Sequence, residues 1–156
     1  MKTKWNLNLI LSKETLVDIE VLRTKIEKET QRFITKWKTR EDYLSNPKIL
    51  KQALDEYEAW LTDYGTHDSE AYYYSLMQSI DLNNAQVKAD FNTIYKKSLD
   101  LWNQIQFFEL NISKIKPPIQ KKMLASKDLV EYKHFLEQLF RSGKHTLSEL
   151  EERIMN

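Results

Sequence analysis

Only two glycines and three prolines occur in 156 residues, and no other feature limits the fold so strongly. Ordinary chains carry about 7% glycine and about 5% proline. A sheet protein needs such turn residues every few positions, so this chain reads as long helices with few corners, an all-α fold. The predicted architecture is a set of elongated antiparallel helical hairpins, or a bundle, with one very long central helix. The length suits a single domain over 1–156, able to bury roughly 70% of its unfolded surface. With 12% aromatic residues and a net charge of +1, disorder is excluded. Near-balance of 24 basic and 23 acidic side chains leaves no excess positive field for nucleic acid. The absence of cysteine removes disulfides, thiolate metal sites and thiol nucleophiles.

The N-terminus imitates a signal peptide, since Lys2 and Lys4 precede Leu7, Leu9, Ile10 and Leu11. Asn6 and Asn8 interrupt that apolar run, no small-residue cleavage site follows, and Lys13 and Glu14 come at once. No stretch approaches the ~20 apolar residues that span a bilayer. The expectation is a cytoplasmic protein with no membrane partner.

Hydrophobic spacing places the helices. Ser12 is a candidate N-cap for a helix over 13–38, with Leu16, Ile19, Leu22, Ile26, Phe33 and Trp37 on one stripe and Thr30 in its polar gap. Asn46 and Pro47 open a second helix over 47–64, which Gly65 is placed to end in a left-handed conformation. A third covers 69–80, stopped by the Asp-Leu-Asn-Asn corner. Asn83 or Asn84 then caps a rod over 84–115, about 45 Å long at 1.5 Å per residue. That rod also carries apolar residues off its main stripe, at Tyr95, Leu99, Trp102, Phe107 and Leu110, which predicts packing on more than one side. Pro117 and Pro118 end it. Short helices follow over 118–125 and 129–141, the latter closed by Gly143. Thr146 and Glu149 form a capping box that opens a last helix over 147–155, which stops without a glycine or proline as if cut in mid-element.

Chemistry is sparse. The three histidines are His67, His134 and His145, and there is no H-E-x-x-H. His134 to Gln138 comes near the inverted motif H-x-x-E-H, yet Gln138 stands where the second histidine belongs. His134 with Glu137 supplies at most two ligands, and catalytic zinc needs three. His67, in the Gly65-Thr66-His67-Asp68 corner, reads as loop capping, because adjacent residues cannot make a catalytic triad. His145 reads as a residue beside the capping box. Three consecutive tyrosines, Tyr72, Tyr73 and Tyr74, are unusual. With Trp102 they could line a groove or channel, although half-buried core with a wet hydroxyl is the plainer reading. The Lys96-Lys97 and Lys121-Lys122 pairs read as solvated faces. No catalytic, cofactor-binding or metal residue is assigned.

The C-terminal stretch carries a resemblance. Glu131-Tyr132-Lys133-His134-Phe135-Leu136-Glu137, then Lys144-His145-Thr146-Leu147-Ser148-Glu149 and Glu151-Glu152-Arg153-Ile154, resemble the oligoendopeptidase F family of zinc metallopeptidases. That family typically shows Y-[RK]-H-[FY]-L-E followed by H-x-L-S-x-x-E-E-x-I. Trp5, Leu7 and Ile10 resemble its opening W-x-L-x-x-L. Ala53-Leu54-Asp55-Glu56-Tyr57-Glu58 resembles its A-L-x-x-Y-E, and Asp81 to Asn84 falls at its Asp-containing turn. Phe107-Phe108-Glu109-Leu110 resembles its F-F-x-x-E-L region, with shorter spacing.

The resemblance implies the N-terminal helical part of such a peptidase, present here as a fragment or as a stand-alone piece. The family's helices enclose a channel that admits short peptides, and these residues would form part of its wall. Zinc, H-E-x-x-H and peptide hydrolysis belong to the rest of the family chain, so this chain alone is expected to be inactive and to hold no cofactor. Its partners would be the remainder of the peptidase and, for the full enzyme, short peptides. A wall segment without its partner should expose apolar surface, for which the long helix is the candidate; a homodimer could form there. Two other readings stay open: a stand-alone interaction or dimerisation module, and a small-ligand bundle with its pocket at Tyr72, Tyr73, Tyr74 and Trp102.

Overall fold

A computed structural model describes Leu7 and residues 16–65 and 69–143. Among the described residues the fold is all-α, with seven α-helices and no strand. They are α1 (Leu16–Trp37), α2 (Pro47–Trp60), α3 (Ser69–Ile80), α4 (Ala85–Ile105), α5 (Phe107–Ser113), α6 (Pro117–Leu124) and α7 (Lys133–Ser142). Short 3₁₀ turns cover Asp42–Leu44 and Lys127–Leu129. The predicted Ser12 cap, the 147–155 helix and its capping box lie outside the described residues, as do His67 and His145.

The helix starts follow local chemistry. Asn46 accepts the backbone N–H of Lys48 through its side chain (3.0 Å), and Pro47 takes the first helical position, where a missing N–H costs nothing. Of the two candidate caps for α4, Asn84 is the one used: its Oδ1 accepts from Val87 N at 3.1 Å. Asp81 closes the preceding corner by accepting from Asn83 N. Lys116 is extended at the start of α6, with Pro117 and Pro118 in its first turn.

Three elements depart from expectation. The 84–115 rod is two helices parted at Gln106. Ile105 is fully buried in one compact unit and Phe108, a turn later, in the other. α2 passes into a π turn over Leu61–Gly65. The 129–141 segment begins as a 3₁₀ turn, because Ser126 caps Asp128 N, and becomes α-helical only at Lys133.

The chain groups into two compact units, one from Met1–Ile34 with Glu58–Ile105, the other from Thr35–Tyr57 with Gln106–Asn156. In the first, α3 and α4 pack together across the four-residue corner 81–84. Ile19, Phe33, Trp60, Ala71, Ile94 and Ile105 are its buried apolar residues along α1 to α4. Thr30, fully buried, donates to Ile26 O (2.7 Å) and accepts from Trp60 Nε1 (3.0 Å). The polar gap in the α1 stripe is thus a satisfied junction between two helices.

In the second unit α7 packs on α5 and α6. Trp37, Tyr43, Leu50, Leu54, Phe108, Ile112, Met123, Leu129 and Leu136 are buried there. Gly143 closes α7 as expected, donating to Leu139 O (2.9 Å), but its backbone is right-handed, with φ −59°. Space makes glycine necessary: a Cβ would lie 2.9 Å from the Ser113 carbonyl carbon, closer than packed side chains approach.

Candidate functional site

The second unit gathers the residues of three sequence motifs. Tyr57, on α2, is buried, and its hydroxyl donates to Glu109 Oε1 of α5 at 2.7 Å. Burial and that neighbouring carboxylate push the phenol far above its ordinary pKa. The Tyr57 ring lies 4.9 Å from that of Phe108. Phe108 in turn meets Tyr43 at 5.5 Å, and Tyr43 meets Trp37 edge-on at 5.8 Å. One face of α2 therefore joins its A-L-D-E-Y-E segment to the F-F-E-L segment through an aromatic cluster.

Asp55 joins the same segment to the third motif. Its Oδ1 accepts from the hydroxyl of Tyr132 (2.8 Å) and from Lys51 Nζ, whose nitrogen sits 5.7 Å from the Tyr132 ring. Burial opposes ionisation of Asp55, but hydrogen bonds from Lys51 and Tyr132 outweigh it and hold the carboxyl below its usual range. Glu56 behaves alike: burial is overcome by Lys36 (2.6 Å) and by the indole of Trp37 (3.0 Å). These contacts are structural chemistry, every polar group answered by a partner. They offer no unpaired nucleophile or base.

The four aromatic residues expected to line a groove lie in the first unit. Tyr72 is 58% exposed on α3. Tyr73 and Tyr74 are half-buried, their rings edge-to-face at 5.3 Å. Burial, then the carboxylates of Asp90 and Glu70, push the Tyr74 phenol up. Trp102, on α4, packs edge-on against Trp60 at 5.8 Å. Tyr73 and Tyr74 thus pack on each other, and Trp102 packs on Trp60.

A cleft does form in that unit, lined by Arg23, Ile26, Glu70, Ile94, Ser98 and Leu101 among others, with about 60 Å³ of free space. Ligand sites usually hold about 300–1,000 Å³. Arg23 forks onto Glu70 across it through Nε (2.8 Å) and the second guanidinium nitrogen, which ties α1 to α3. Tyr72, Tyr73, Tyr74 and Trp102 are not among its lining residues.

α4 displays a second feature. Tyr95, Leu99 and Trp102 are 48%, 43% and 42% exposed, and steps of four and three put them on one stripe. Phe91 extends it by stacking on Tyr95 at 5.7 Å. These are the off-stripe apolar positions visible in the sequence.

His134 is exposed on α7, and among the described residues no three His, Asp or Glu side chains come together to hold a metal ion. No described helix is long and apolar enough to cross a membrane. Sequence reasoning missed Tyr43, centre of the aromatic cluster, because its short 3₁₀ turn has no periodicity to reveal it. It read Lys121 and Lys122 as a solvated face, without the wider pattern in which the 18 residues 110–127 hold five lysines and no acid.

A family model described as Oligopeptidase F matches residues 111–156. No curated protein and no solved structure gives a significant match. The matched range contains the Tyr132 motif, and the structure ties that motif to Asp55 and, through the same helix, to Glu109. Over residues 111–156 the chain is similar to the family described as Oligopeptidase F.

Proposed function

We propose that the chain is the helical channel-wall segment of an oligoendopeptidase F-like zinc metallopeptidase, a cytoplasmic hydrolase of short peptides. The match over residues 111–156 carries this reading. It is supported by the apolar stripe of α4, which supplies a face for the remaining peptidase chain. Chemistry belongs to sequence bearing H-E-x-x-H, where zinc activates water. These 156 residues lack that motif and bring no set of three ligands together among the described positions. Their part is to shape the channel and so limit substrate length.

The test is an oligopeptide cleavage assay with metal analysis, on the chain alone and after mixing with a separately produced family polypeptide that carries H-E-x-x-H. The chain alone should cleave nothing and bind no stoichiometric zinc, and it should associate with the added polypeptide. Chelator-sensitive hydrolysis by the chain alone would overturn the proposal.

The same stripe supports a second reading, a stand-alone interaction or dimerisation module. Sedimentation across concentrations separates the two. Self-association abolished by Leu99→Asp favours the module, and a monomer that binds only the added polypeptide favours the channel wall.

A further inference from the structure

The α6 region concentrates charge in an otherwise balanced chain. Lys114, Lys116, Lys121, Lys122 and Lys127 are all exposed, and residues 110–127 contain no Asp or Glu. None of the five forms an ion pair among the described residues. The flanking acids are engaged elsewhere: Glu109 accepts from Tyr57, and Asp128 meets the Ser126 hydroxyl. Lys122 reaches only a neutral acceptor, the Ser45 carbonyl, at 3.2 Å. Elsewhere in the same unit two lysines are neutralised, Lys36 by Glu56 and Lys51 by Asp55. The ridge is rigid as well as basic: Met123 anchors α6 in the core at 0% exposure, and Pro117 and Pro118 fix its first turn.

We propose that this lysine ridge is a docking surface for acidic polypeptide segments. Uncompensated like charges on a packed element repel one another, and a partner rich in carboxylates relieves that repulsion. α6 is about 12 Å long, which an extended segment covers with about four residues, so a short run of Asp or Glu is the complement. The ridge has no arginine fork and no aromatic ring for base stacking, the features that mark a nucleic-acid groove. The apolar side of α6 is turned into the core by Met123, which leaves little for a membrane to take up. The proposal is independent of the peptidase reading.

Titration of fluorescein-labelled octaglutamate with the full chain, followed by anisotropy at rising salt, tests it. Binding should weaken steadily with ionic strength. Lys116→Glu with Lys121→Glu should weaken it about tenfold. Lys96→Glu with Lys97→Glu, the same charge change on α4, should weaken it by no more than about twofold. Circular dichroism checks that both variants fold, and the milder Lys116→Gln with Lys121→Gln pair should fall between the wild type and the Glu variant. Absence of binding at low salt, equal loss in the α4 variant, or tighter binding of a DNA duplex or of phosphatidylserine vesicles than of octaglutamate would each overturn the proposal.

Discussion

Thr30 shows how much one buried hydroxyl decides. It satisfies the indole N–H of Trp60 while returning its own proton to the helix backbone. Thr30→Val keeps the shape and strands the indole donor, which should cost about 1–3 kcal/mol. Adding Trp60→Phe removes that donor, so a double-mutant cycle by urea unfolding should show the second change costing less in the Val background than alone. Gly143 makes a separate case. Its φ of −59° suits any residue, yet Gly143→Ala drives a methyl against the Ser113 backbone. Overpacking of that kind costs about 1–3 kcal/mol, and a thermal melt should fall accordingly. The glycine was visible in the sequence as a helix end, but its reason was not, because Ser113 lies thirty residues earlier in the chain.

At the scale of elements, caps and ion pairs join the helices. Asn84→Ala removes the acceptor for Val87 N and should cost about 0.5–2 kcal/mol, read as lost helicity on mild heating. α2 is held to its neighbours through carboxylates whose folded pKa values are depressed, Asp55 and Glu56. A depressed carboxyl pKa contributes stability above the unfolded value, near 4, and loses it as pH falls through the folded value. Denaturant midpoints should therefore hold from pH 7 to about 5 and drop below about 4. Asp55→Asn should flatten that acid limb while lowering the midpoint at pH 7. Most of the element boundaries were legible because caps and prolines act locally. The break at Gln106 was not, since nothing at that residue departs from helical spacing.

For the whole molecule, Tyr43 and Tyr57 report on the aromatic core of the second unit. Burial raises both phenols. The stability they confer is complete below the unfolded value near 10 and is lost as pH rises toward the folded values. Absorbance titration at alkaline pH should show two of the eight tyrosines ionising only as the chain unfolds. Leu99→Asp, on the exposed stripe, should change stability by no more than about 0.5 kcal/mol and abolish association with a catalytic family polypeptide. The sequence by itself determined the all-α class, the caps and the motifs that resemble the oligopeptidase F family, because propensity, capping and motif order are read over a few neighbouring residues. Only the tertiary structure decided that Asp55 meets Tyr132, that Tyr57 meets Glu109, and that Trp102 packs on Trp60. Such pairings depend on which helix faces are buried together, and the spacing within one helix carries no record of its neighbour.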